Sequence, residues 1–156
     1  KRLDDGRPAI LLDESIAEWR WTKGYAEDMA HAVFLAVTRP EAAGRVYNVG
    51  EEGAPTQREW IERIGRAAGW TGRVVVLPPE KTPKHLANDM NTRQHLVTDT
   101  RRIRDELGYA EPTDPETALR RTIEWERAHP PEKIDPEAYD YAAEDAALAE
   151  PVEGQA

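Results

Sequence analysis

The sequence predicts an α/β fold in which helices pack around a few short strands, followed by an acidic, disordered tail. Three observations lead there. Apolar, β-rich runs at residues 7–12, 45–49 and 74–77 are short and bounded by Gly or Pro, as buried strands are. Between and after them lie segments of helical period with recognisable caps. The charge, finally, is concentrated at one end: residues 132–156 hold eight acids and one base, so they carry −7 of the chain's −9, and residues 1–131 stay near neutrality at −2. That division sets two regions, a body over 1–131 and a tail over 132–156.

The elements follow in order. Arg7-Pro8-Ala9-Ile10-Leu11-Leu12, after Asp-Asp-Gly, reads as a turn leading into a strand. Trp19 and Trp21 alternate around Arg20, a period of two that suits a strand or extended loop. Glu27 and Asp28 sit where carboxylates complement the positive end of a helix. Met29, Val33, Ala36 and Val37 then recur along one helical face until Pro40. Thr56-Gln57-Arg58-Glu59 fits a capping box, opening a helix that buries Trp60, Ile61, Ile64 and Ala68 and ends at Gly69. Pro78-Pro79 stops the 74–77 strand, and residues 78–98 show no period and read as a long loop. A short helix from Asp99 to Leu107 ends at Gly108, and Thr113-Asp114-Pro115-Glu116 starts a last one that buries Leu119 and Ile123. The tail, rich in Glu, Asp, Ala and Pro with only Tyr139 and Tyr141 as large apolar bodies, has the composition of a disordered segment.

Composition excludes several functions. A body without a basic stripe lacks the clustered Lys and Arg that displace counterions from nucleic acid. No apolar run approaches the roughly 18–20 residues of a membrane span, and no signal-peptide pattern opens the chain. Absence of cysteine removes disulfides and thiolate metal sites and fits a cytoplasmic location. His85 and His95, near Asp89 and Asp99, match no common ligand spacing and read as surface or packing histidines, so no metal is expected. Glu27 and Asp28, adjacent on a helix, diverge by about 100° and do not read as an acid/base pair. The tryptophans read as core and interface anchors.

Four segments, in order, carry a resemblance. They are Tyr25-Ala26-Glu27-Asp28-Met29-Ala30, Gly44-Arg45-Val46-Tyr47-Asn48-Val49-Gly50, Asp99-Thr100-Arg101-Arg102-Ile103-Arg104-Asp105-Glu106-Leu107-Gly108-Tyr109, and Arg120-Arg121-Thr122-Ile123-Glu124-Trp125. Over residues 20–128 the set resembles the C-terminal, substrate-binding part of the NAD-dependent epimerase/dehydratase family, the extended short-chain dehydrogenase/reductases. The resemblance implies an extended Rossmann-like fold and an oxidoreductase using NAD or NADP. It implies a sugar or sugar-nucleotide substrate, with a dinucleotide-binding N-terminal half as partner and assembly with further copies as an option.

In that family a Gly-rich turn receives the pyrophosphate and a Tyr followed four residues later by Lys supplies acid/base chemistry. Neither pattern occurs here. Four residues after Tyr25, Tyr47, Tyr109, Tyr139 and Tyr141 stand Met29, Glu51, Thr113, Ala143 and Asp145, and Gly50-Glu51-Glu52-Gly53 continues to Thr56 rather than to a third glycine. No catalytic or cofactor-binding residue is therefore expected, and the chain alone should bind no cofactor. By resemblance, two arginines of the family grip a diphosphate. Arg20 lies one position from the first, whose place holds Trp21, and Arg93 lies nearest the second. These two are the candidate substrate-binding residues. Beginning at Lys1 rather than Met, the chain is expected to be a fragment; the other reading is a stand-alone, non-catalytic ligand-binding or interaction module.

Overall fold

The structure, a computed structural model, describes residues 1–150. Strand β1 (Ala9–Asp13) runs into a one-turn helix, α1 (Glu14–Ala17), which Asp13 caps by accepting from the Ser15 amide. An extended stretch through Trp21 leads to α2 (Ala26–Thr38), and α3 (Gln57–Ala67) follows. The capping box forms as the sequence predicts: the Thr56 hydroxyl accepts from the Glu59 amide at 3.1 Å while the Glu59 carboxylate accepts from the Thr56 amide at 2.7 Å. Strand β2 (Arg73–Leu77) then pairs with β1 in parallel, Ala9 opposite Arg73 and Asp13 opposite Leu77. Two 3-10 turns break the long loop before α4 (Arg101–Leu107), which ends on Gly108 at φ 66°. Helix α5 (Pro115–Ala128) starts under the Asp114 cap, and α6 (Tyr141–Ala149) closes the described chain.

Two apolar clusters hold this together. Ala9, Leu11, Val75 and Leu77 form the buried face of the sheet, with Leu86, Ala147 and Leu148 packed over it. Ala32 and Leu35 of α2 meet Ile103 and Leu107 of α4, with Ala42 and Tyr109 completing the second. Trp70 locks α3 to the strand ends by donating its indole N–H to the Arg7 carbonyl at 2.7 Å. That fit requires glycine twice: a Cβ on Gly65 would come within 2.7 Å of the Trp70 ring, and one on Gly72 within 2.3 Å.

Four sequence expectations are corrected. The tail is not disordered throughout: Tyr141–Ala149 is helical, with Asp140 capping it by accepting from the Ala143 amide. Its acidity is matched by N-terminal cations. Glu144, fully buried, accepts from Arg2 at 2.7 Å and lies 3.1 Å from His85 Nε2. Arg7 pairs with Asp145, and the Tyr141 hydroxyl donates to Asp5 at 2.5 Å. The rest of the expected disorder, at residues 151–156, lies outside the described residues.

The second correction concerns residues 45–49, which are extended but pair with no strand among the described residues. They keep strand alternation all the same: Tyr47 and Val49 pack inward on the α2–α4 cluster, whereas Val46 and Asn48 face out.

Third, most of the face of α2 that its period marks as core points outward. Val33, Phe34 and Val37 are 62%, 60% and 80% exposed, while Asp28, Ala32 and Leu35 are buried. Of the four residues that the period marks, Met29 packs on the α2–α4 cluster, whereas Val33, Ala36 and Val37 are exposed. Fourth, Trp60, Ile61 and Ile64 are half-buried rather than core, and Trp60 lines a cleft.

Candidate functional site

The cleft has a volume of about 940 Å³ and opens between α3, α5 and the stretch running from Trp21 into α2. Backbone pairing fixes that stretch. Leu96 N–H donates to the Arg20 carbonyl at 2.9 Å, Thr22 N–H to the Leu96 carbonyl at 3.2 Å, and Glu51 N–H to the Lys23 carbonyl at 2.9 Å. Gly50 permits the last approach, since a Cβ there would stand 2.3 Å from the Thr22 methyl. The period of two places Arg20 and Trp21 on opposite sides, so Trp21 and Lys23 line the cleft and Arg20 does not.

Three indoles form the walls: Trp21 from the extended stretch, Trp60 from α3 and Trp125 from α5. The Lys23 ammonium lies 4.0 Å from the Trp21 ring centroid and 5.3 Å from that of Trp60, a cation–π position against both. It donates no hydrogen bond to a described residue, and burial lowers its pKa against a smaller opposing pull from Glu51. Burial likewise raises the Glu51 carboxyl, with Arg63 opposing. The Arg63 guanidinium lies 5.4 Å from the Trp60 ring centroid, and Arg121 donates to Glu27 at 2.9 Å. Cations and carboxylates are thus balanced around the rim, and Lys23 alone sits between aromatic faces.

The sequence-nominated residues lie elsewhere. Arg20 donates from its guanidinium to the Ala54 carbonyl at 2.7 Å, and Glu59 lies 3.6 Å away, so it ties the extended stretch to the start of α3. Arg93 is exposed in the loop, its amide donating to the Asn91 side chain. Neither lines the cleft. His85 partners Glu144, and His95 Nδ1 accepts from the Arg20 amide at 3.2 Å. Among the described residues no three His, Cys, Asp or Glu side chains converge as a metal site would require, and no helix is long and apolar enough to cross a membrane. Asp28, nominated as a helix-start carboxylate, is buried and accepts from the Thr113 amide at 3.2 Å, fastening α2 to the loop before α5. Lys23, Trp60 and Trp125 line the cleft and are not among the site residues the sequence nominates. Their signal was a cation two residues beyond Trp21, but only the fold brings α3 and α5 to it.

The helix starts after β1 and at α3 are occupied by the chain's own side chains. Where β1 enters α1, the amides that could face a pyrophosphate look onto the buried Asp13 carboxylate, which already accepts from Ser15 and Asn88. At α3 the first amides are taken by Thr56 and Glu59.

No protein-family model and no curated protein sequence matches the chain. Solved structures do match. UDP-glucose 4-epimerase from Thermotoga maritima superposes with a TM-score of 0.61 at 19% identity, over 81% of this chain and 37% of that one. An epimerase from Burkholderia cenocepacia gives 0.59 at 20% identity, over 81% and 39%. The dTDP-glucose 4,6-dehydratase of Bacillus anthracis, solved with NAD, gives 0.58 at 17%, over 82% and 37%. The chain adopts part of the epimerase/dehydratase fold. It spans less than two-fifths of the length of these three structures.

Proposed function

We propose that this chain is the C-terminal, substrate-binding part of an NAD(P)-dependent epimerase/dehydratase-type oxidoreductase, and that cofactor and chemistry belong to a dinucleotide-binding half outside it. One observation carries the reading: the open side of the fold. Val33, Phe34 and Val37 on α2, together with the extended 45–49 segment whose Val46 is 80% exposed, form an apolar helix face and a strand edge without a ladder partner. A parallel sheet contributed by the other half would cover both at once, because parallel strands are buried on both faces by helices. The order of the four motifs agrees with this placement.

On this reading the cleft receives the small-molecule substrate, of the sugar or sugar-nucleotide type implied by the resemblance. Arg20 and Arg93 are substrate contacts only if the other half brings the substrate to them. The protein acts in the cytoplasm, and the open face also offers a route to association with a second copy.

The test is reconstitution. The reading frame upstream of Lys1 is sequenced, and the stretch it encodes, joined to this chain, is expected to bind NAD(H) or NADP(H) at micromolar concentrations and to raise the melting temperature. The 156-residue chain alone is expected to bind neither. Micromolar cofactor binding by the chain alone, or an upstream frame with no Gly-rich turn and no Tyr-x-x-x-Lys pair, would overturn the proposal and leave the stand-alone module.

A further inference from the structure

Lys23 is placed unusually for a cation on the rim of a cleft. Its ammonium faces two indoles, one at 4.0 Å, while its N–H groups have no acceptor among the described residues. Stacking offsets part of the cost of removing the charge from water, but it leaves hydrogen-bonding capacity unused. A ligand oxygen reaching Lys23 would complete the shell. Of the neighbouring cations Arg121 donates to Glu27, and Glu51 pulls on both Arg63 and Lys23 without a hydrogen bond to either among the described residues, so Lys23 keeps unused donors between the rings while the cleft lacks the paired free cations that a diphosphate needs. Around it the surface is apolar: Trp60, Trp125 and Leu119 offer flat or aliphatic area and few donors. A cationic ligand is disfavoured because Lys23 already occupies the place between the rings.

We propose that the cleft binds an amphipathic monoanion, its flat apolar body held among Trp21, Trp60 and Trp125 and its carboxylate hydrogen-bonded to Lys23. This rests on reading the cleft as the small-molecule site, and it puts an aromatic or similarly flat carboxylate in place of the sugar nucleotide that the resemblance implies.

The experiment uses the full 156-residue chain, 2-naphthoate as probe and 2-naphthalenemethanol as its neutral counterpart, read by calorimetry and by the indole N–H resonances. Naphthoate is expected to shift the Trp21, Trp60 and Trp125 signals saturably. The Trp70 signal, committed to the Arg7 carbonyl, should stay in place as an internal control. The alcohol should bind about tenfold more weakly, and Lys23→Met should cost naphthoate about tenfold while leaving the alcohol within about twofold. An unmoved Trp70 signal in Lys23→Met reports that the fold is retained, and Trp125→Ala, at an exposed position on α5, gives a second variant that should weaken both probes. Equal binding of acid and alcohol, an unaffected Lys23→Met, or no saturable binding would each overturn the inference. So would tighter binding of UDP-glucose than of naphthoate at the same indoles. That last result would leave the substrate-binding reading of the chain intact, whereas failure of reconstitution would remove that reading and leave the naphthoate result standing.

Discussion

The two sides of this molecule are finished to different degrees. On one side α6 lies over the buried face of the sheet and its acids meet the basic N-terminus: Glu144 with Arg2 and His85, Asp145 with Arg7, Tyr141 with Asp5. Aromatic faces back the same cations, Arg2 at 4.9 Å from the Tyr139 centroid and Arg7 at 4.6 Å from that of Tyr141. On the other side α2 exposes Val33, Phe34 and Val37, and the 45–49 segment keeps strand alternation with no ladder. The chain closes one side with a buried ion pair and leaves apolar surface exposed on α2. The contrast teaches that net charge and apolar periodicity, read alone, point the wrong way on both sides.

The largest effect should come from removing the closure. Truncation after Pro131 exposes Ala9, Leu11, Val75 and Leu77 and strands Arg2 and Arg7 without their acids. A loss of about 3–5 kcal/mol is expected from the uncovered apolar area and the broken buried pair, measured by urea denaturation. An unchanged midpoint would mean that α6 contributes nothing and that the two sides do not differ.

Glu144→Leu asks how much of that closure is the ion pair. The substitution keeps a side chain over the sheet but leaves Arg2, 19% exposed, and His85 without their acceptor. About 2–3 kcal/mol should be lost, less than on truncation, because Arg2 and His85 lose a carboxylate partner while Arg2 keeps the Ala138 carbonyl and Ala147 and Leu148 still pack. A leucine variant as stable as the parent would show that packing alone holds the helix.

Acid should act on this closure too. Burial pushes the Glu144 carboxyl up, but hydrogen bonds from Arg2 and His85 outweigh it and hold the group below its ordinary value. A depressed folded value means that the contribution is complete above the unfolded value, about 4.3, and is lost as pH falls through the folded one. The Arg7 partnership acts in the same direction on Asp145, as the hydrogen bonds from Lys1 and Tyr141 do on Asp5. Protection of the α6 amides should therefore fall below about pH 4. Persistence of the acid step in Glu144→Leu at full amplitude would assign it to Asp145 and Asp5 instead.

Much of the fold was legible, for local reasons. The Thr56–Glu59 box, the Asp114-Pro115 start and the glycine stop at Gly108 are each decided within four residues, and each formed as the sequence predicts. What escaped was decided at long range. The order in the tail depends on Arg2 and Arg7, more than 130 residues away, which no composition window contains. The site depends on α3 and α5 meeting the stretch around Lys23, while Arg20, nominated by motif position, spends its guanidinium on Ala54 and Glu59. A motif carries a position in the chain; the side of the strand is set by the pairing of residues 20–23 with Leu96 and Glu51.

The smallest effect on the free chain should come from the open side, and it is informative because it is small. Phe34→Ser with Val37→Ser removes apolar groups that are 60% and 80% exposed and touch little, so stability of the 156-residue chain should change by no more than about 0.5 kcal/mol. Self-association should fall, since the apolar patch beside an unpaired edge is what a second copy would grip. In the reconstituted protein the same pair should be costly, because there the two side chains would be buried against the other half and serine hydroxyls would lack partners. Light scattering on the chain and thermal melts on both forms give the comparison. A large loss in the free chain would mean that this face already packs within the chain. Equal, small effects in both forms would mean that the other half docks elsewhere, and that α2 is exposed for a different reason.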